Sequence, residues 1–191
     1  MELPKLILAS GSPRRSEILG SVGWEFEMHV ADVDETPVEG EAPDDYVERL
    51  AREKSLAVAR RFPNSLVLGA DTTVVIDERI VGKPEDVEDA RQMIRDLSGR
   101  WHDVITGVAV TRVDDTGPGR VVSGIQMTGV KFREMTDKEV EFLVRFGEPM
   151  DKAGAYAVQA QAALFIEEIR GDYWNVVGLP VSLVYEIVKS F

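Results

Sequence analysis

The sequence predicts an α/β fold: a central mixed β-sheet flanked by helices. Three observations carry this. Short β-like apolar runs alternate with helical patterns along the whole chain. Hydrophobic residues make up 44% and charged residues 29%, the balance of a globular chain rather than a disordered one. The length, 191 residues, suits one domain spanning the chain, or two small lobes sharing a core.

The elements follow in order. Residues 6–9 form a short apolar strand. A helix is expected over 13–19, with Ser12 as its cap and Pro13 at the first helical position, where a missing N–H costs nothing. Residues 44–62 carry a long helical pattern behind Pro43. Residues 66–76 are β-rich, as two strands or as one bent at Gly69, and Ile80 and Val81 can pair back on them. A helix over 86–97 stops at Gly99. Two long β-like runs, 104–113 and 121–132, flank the turn-rich stretch 114–119, which reads as a hairpin tip. Thr136 and Glu139 form a capping box whose helix runs to Gly147. Residues 155–158 and 163–169 look like strands, Gly171 and Asp172 like a turn, and 180–189 like a closing helix.

Composition excludes several function classes. There is no cysteine, hence no disulfide scaffold, thiolate metal site or cysteine nucleophile. The two histidines, His29 and His102, are too few for a three-histidine zinc site. With 22 Lys and Arg against 34 Asp and Glu, the net charge of −12 argues against binding a nucleic-acid polymer. A small anion can still be handled if the few cations gather in one place. No stretch has the length of a membrane span or the pattern of a signal peptide, so a cytoplasmic protein with no membrane attachment is expected.

Three features suggest where chemistry sits. In Ser10-Gly11-Ser12-Pro13-Arg14-Arg15 a strand ends, a glycine turns the chain, and two arginines fall in the first turn of a helix. Cations there oppose the helix dipole, and a bound phosphate would reconcile them; the alternative is a solvated arginine pair. Lys54 lies in the apolar stripe of the 44–62 helix with Tyr46, Val47, Leu50, Ala51, Ala57 and Val58. It needs a buried partner, or it snorkels to water. Asp71 sits inside the most strand-like apolar run, where a metal, a lysine or a catalytic task would each explain a carboxylate. Asp32, Asp34 and Glu35 offer hard oxygen ligands, and Lys83 lies between two turn residues. The histidines read as structural. Phe146, Phe165, Tyr173 and Trp174 read as core or interface residues.

The ordered set of motifs is more specific than any one of them. Ser-Gly-Ser-Pro-Arg-Arg-x-Glu-x-Leu is followed by Asp34-Glu35, Arg52-Glu53-Lys54, Gly69-Ala70-Asp71-Thr72, Gly82-Lys83-Pro84, Gly99-Arg100-Trp101-His102, Thr106-Gly107, Tyr156-Ala157-Val158-Gln159 and Gly171-Asp172-Tyr173-Trp174-Asn175. This resembles the Maf family of nucleoside triphosphate pyrophosphatases, once called septum-formation inhibitors, over essentially the whole chain. The resemblance implies a fold like that of the inosine triphosphate pyrophosphatases, with an elongated sheet and two lobes around a cleft. It implies metal-dependent hydrolysis of a nucleoside triphosphate to the monophosphate and pyrophosphate. By the same resemblance Asp71 is catalytic, Ser10, Ser12, Arg14, Lys54 and Lys83 handle phosphates, and Glu35 joins Asp71 in holding magnesium or manganese. Arg15, Thr72 and Gln159 match positions that favour dTTP and UTP. Ala160 and Ala162 replace glycines common in the family, which would narrow the base pocket. A homodimer is a candidate oligomer. The rival readings are a nucleotide-binding regulator of cell division or septum formation without turnover, and an enzyme for another phosphorylated metabolite.

Overall fold

The computed structural model describes residues 3–114 and 119–191. The centre of the expected hairpin tip, residues 115–118, lies outside the described residues. The strands are β1 (Leu6–Leu8), β2 (Phe26–Met28), β3 (Leu66–Ile76), β4 (Arg79–Val81), β5 (Trp101–Arg112), β6 (Arg120–Phe132) and β7 (Ile166–Arg170). The helices are α1 (Pro13–Ser21), α2 (Pro43–Ala59), α3 (Val87–Leu97), α4 (Asp137–Phe146), α5 (Tyr173–Val177) and α6 (Val181–Val188). The strands pair in the order β2-β1-β3-β5-β6-β7, with β4 also on β3. β1 runs parallel to β2 and β3, whereas β4 and β7 run antiparallel to their partners, so the sheet is mixed as the α/β alternation predicts. Among the described residues no helix is long and apolar enough to cross a membrane.

The chain divides into two compact units, and β3, β5 and β6 each pass from one into the other. The first comprises Met1–Asp71, Thr106–Gln126 and Gly178–Phe191. Its core contains Ile7, Ala9, Val58, Ala59 and Val67, with Phe62 and Val113 packed alongside. The second comprises Thr72–Ile105 and Met127–Val177. At its centre His102, Phe132 and Tyr156 form a ring cluster, with Phe132 and Tyr156 centroids 4.9 Å apart. His102 accepts from or donates to the Tyr156 hydroxyl through Nε2 at 2.8 Å, and burial lowers its pKa to about 4. The structural role expected of His102 is what the packing shows.

Side-chain caps fix the starts of α3 and α4. Asp86 accepts the Asp89 N–H at the start of α3, and Arg95 sits in the last turn, where a cation suits the dipole. At α4 the Glu139 carboxylate reaches back to the Thr136 N–H at 2.8 Å, as the capping-box spacing requires.

Three expectations are corrected. Ser12 occupies the N-cap of α1, but its side chain makes no capping bond; its N–H donates instead to Ser10 Oγ at 3.1 Å. Residues 155–158 are not a strand, because Gly154 (φ 67°) and Ala155 (φ 61°) are consecutive left-handed residues that turn the chain. Residues 161–164 form a 3₁₀ turn closed by bonds such as Phe165 N–H to the Ala162 carbonyl, so β7 begins only at Ile166. Of the four aromatics expected in the core or at an interface, Phe165 is buried, while Phe146, Tyr173 and Trp174 are each more than 40% exposed.

Candidate functional site

The site grows out of the packing of α2 on β3 in the first unit. The buried stripe of α2 is Val47, Leu50, Ala51, Lys54, Ser55, Val58 and Ala59. Two glycines let its backbone come close to the sheet. A Cβ on Gly69 would lie 2.2 Å from the Ala51 carbonyl oxygen, and one on Gly107 2.2 Å from that of Val47. Gly69 therefore does not break or bend β3 into two strands; it makes room for the helix. Side chains two apart share a strand face, so Asp71 points to the same side as Gly69. It meets Lys54, one turn along α2 from Ala51.

Lys54 Nζ lies 2.6 Å from Asp71 Oδ1 and 2.7 Å from Glu35 Oε1. The lysine side chain is only 9% exposed, so its head does not snorkel to water. It lies between two carboxylates, which compensate its burial. Asp71 is also buried, as expected of a carboxylate given a partner. Glu35 comes from the segment between β2 and α2, which has no helix or strand, and its side chain is 52% exposed. Of the acidic residues 32, 34 and 35, only Glu35 reaches Lys54. Asp34 Oδ1 accepts the Thr36 N–H at 2.9 Å and Asp32 is exposed, so these three do not act as one ligand cluster.

Arg15 completes the group. Its Nε donates to the Gly178 carbonyl at 2.9 Å and its Nη1 to Ser10 Oγ at 3.2 Å, which ties the guanidinium to the chain just beyond β1. Burial pulls its pKa below the ordinary value; the Asp71 charge pulls it back, Arg14 repels it, and Glu35 attracts it. Those influences place Arg14, Arg15, Asp71 and Glu35 in one electrostatic neighbourhood. Tyr46 is within the same field. Its hydroxyl donates to the Glu35 carbonyl at 3.0 Å, and burial, then the charges of Asp71 and Glu35, push it up to about 12.

The first unit thus brings together Ser10, Ser12, Arg14, Arg15, Glu35, Lys54 and Asp71. The other three expected residues belong to the second unit: Thr72 is half-buried in β3, while Lys83 after β4 and Gln159 in a turn are exposed. Ala160 adopts φ −116°, so it occupies no backbone conformation that would demand glycine. Sequence reasoning missed Tyr46 as a polar participant, the Gly178 carbonyl and the docking role of Gly69. Tyr46 lies eight residues before Lys54, two turns along the same stripe, and that spacing was the available signal.

Among the described residues no group of three or more His, Cys, Asp or Glu is placed to hold a metal ion. Glu35 and Asp71 nevertheless hold hard oxygens around one cationic point, now served by an ammonium. One or two carboxylates, completed by phosphate oxygens and water, suffice for magnesium or manganese, so the donor set fits such an ion.

An open-sheet α/β chain with two arginines just beyond β1 and a lysine–carboxylate centre on the middle of β3 has the makings of a phosphate-ester or anhydride enzyme. The comparisons narrow this class. The chain belongs to the Maf family: the family model described as Maf-like protein matches residues 5–191. A dTTP/UTP pyrophosphatase of Anaeromyxobacter dehalogenans is 48% identical over 179 residues, covering 94% of this chain and 90% of the relative. One of Acetivibrio thermocellus is 44% identical over 194 residues, covering 98% and 95%. Among solved structures, the Staphylococcus aureus Ham1 protein is 14% identical, with a TM-score of 0.49 over 97% of this chain and 98% of that one.

Proposed function

We propose that this chain is a nucleoside triphosphate pyrophosphatase acting on dTTP and UTP, releasing the monophosphate and pyrophosphate. Relatives at 44–48% identity carry that name over nearly their full length. The observation that carries the reading is the Lys54 ammonium between Asp71 and Glu35, with Arg14 and Arg15 in the same field. A buried carboxylate would only repel phosphates in a simple anion binder; it has a purpose where water must be activated beside them.

Asp71 accepts a proton from the water that attacks the α-phosphorus. As the new P–O bond forms, the bond from the α-phosphorus to the bridging oxygen breaks, and pyrophosphate leaves with that oxygen. Lys54 orients the Asp71 carboxylate and brings positive charge to the phosphates. Arg14, Ser10, the Ser12 backbone and Lys83 hold the polyphosphate and stabilise charge on the departing group. Arg15, Thr72 and Gln159 read the pyrimidine; a glutamine amide can donate and accept, as uracil and thymine require. Glu35 and Asp71 would hold a divalent cation, magnesium or manganese, which when bound supplies Lewis-acid charge to the phosphate oxygens. Such an activity draws on the cytoplasmic nucleotide pool.

A panel of dTTP, UTP, the purine triphosphates and methylated GTP, assayed for pyrophosphate with magnesium or manganese, tests the reading. Release from dTTP and UTP above methylated GTP is expected. Binding without release would favour a nucleotide-binding regulator of division or septum formation.

A further inference from the structure

Glu35 is the member of the Lys54 centre that comes from no helix or strand. Its segment, residues 29–38, has no helix or strand, and half of its side chain faces water. An acidic side chain so placed has many rotamers open to it, and holding it at 2.7 Å from Lys54 costs conformational entropy. Something must restrain the backbone around it.

We propose that the Glu41–Arg49 ion pair is a positioning clamp that holds the Glu35 segment against α2, so that the Glu35 carboxylate stays on Lys54. The inference rests on the role given to Glu35 above. Arg49 lies on α2 between Tyr46 and Glu53. Its fork meets Glu41 twice, Nε to Oε1 at 2.6 Å and Nη2 to Oε2 at 2.8 Å. The Glu41 side chain is 9% exposed and that of Arg49 26%, so the pair is partly shielded from water. Arg49 Nη2 also donates to the Thr36 carbonyl at 3.3 Å, one residue beyond Glu35. Glu41 Oε2 accepts the Val38 N–H at 3.1 Å, and the Glu41 N–H donates to the Val38 carbonyl at 3.0 Å. The guanidinium lies 5.7 Å from the centroid of the Tyr46 ring, whose hydroxyl holds the Glu35 carbonyl. Arg49 and Tyr46 on α2 hold the backbone at positions 36 and 35, and the Glu41 side chain, gripped by Arg49, holds that at 38. The bidentate pairing also accounts for the depressed carboxyl of Glu41, at about 2, with the Arg49 hydrogen bond its largest cause.

The test compares wild type with Arg49→Ala and Glu41→Gln, alone and in the Glu35→Gln background. Without nucleotide or metal, amide hydrogen exchange over residues 34–41 is expected to quicken at least about tenfold in either variant, with β3 unchanged. The Mn²⁺ concentration for half-maximal pyrophosphate release is expected to rise about 10-fold to 100-fold. The dTTP KM at saturating Mn²⁺ should stay near wild type. In the Glu35→Gln background Arg49→Ala should add no further loss, because a clamp acts only through the residue it positions. Unchanged exchange over 34–41, or fully additive losses with Glu35→Gln, would overturn the clamp. If the wild type releases no pyrophosphate, the functional reading fails and the exchange measurement alone decides the clamp.

Discussion

Replacing Gly69 by alanine is the sharpest probe of how the fold builds the site. The added Cβ would stand 2.2 Å from the Ala51 carbonyl oxygen and 2.7 Å from the Ser55 nitrogen. Both are backbone atoms of α2, so no side-chain rotation relieves the clash. The helix and strand must part by roughly 1 Å to restore van der Waals contact. Overpacking of this kind costs about 1–3 kcal/mol, which in a chain of this size lowers Tm by about 2–4 °C for each kcal/mol. Lys54 moves with the helix and Asp71 with the strand, so their 2.6 Å contact opens toward the limit of a hydrogen bond. A displacement of about 1 Å at a catalytic pair costs about 100-fold in rate. Thermal unfolding and steady-state pyrophosphate release from dTTP read the two effects separately. Gly20→Ala is the control: in α1 a Cβ there meets nothing within 4 Å, and alanine should leave Tm equal or higher. A Gly69→Ala protein with wild-type Tm and turnover would refute the argument that backbone approach of α2 sets the Lys54–Asp71 geometry.

Other substitutions test other parts of the account. Lys54→Met keeps the packed stem but removes the ammonium that lies between Asp71 and Glu35. Stability should fall by about 3 kcal/mol, the low end for a broken buried pair because Glu35 is half in water. Its Tm should respond to added magnesium more than the wild type does; wild-type stability and turnover together would restore the snorkelling reading. His102 gives a pH signature. Burial lowers it from 6.5 to about 4, so between those values the unfolded chain binds a proton that the folded one rejects. Stability should therefore drop as pH falls from 6.5 toward 4, by up to about 3 kcal/mol. Denaturant unfolding of His102→Gln should show a flatter pH profile in that window; an identical slope would assign the acid sensitivity elsewhere.

Much of this was legible in the sequence, for identifiable reasons. Long periodic segments such as α2 and α3 declare themselves because burial on one face repeats every turn. Lys54 and Asp71 stood out because a charge inside an apolar stripe or strand needs a partner, and each proved to be the other's. Residues 155–158 and 163–165 misled because short apolar runs carry no reliable period; two successive left-handed residues and a 3₁₀ turn won there over β-propensity. Arg49 and Glu41 gave no signal, since nothing in one dimension reveals that a segment folds back onto its own helix. Gly69 read as a possible break because a glycine in a strand announces close approach without saying of what.

The central claim is that Asp71 activates water for attack on a triphosphate, and Asp71→Asn tests it most directly. Asparagine keeps the shape and loses the base. With dTTP and magnesium, pyrophosphate release should fall at least about 100-fold, the scale of general-base catalysis, while nucleotide binding largely survives. Release at the wild-type rate from the purified Asp71→Asn protein would contradict the account.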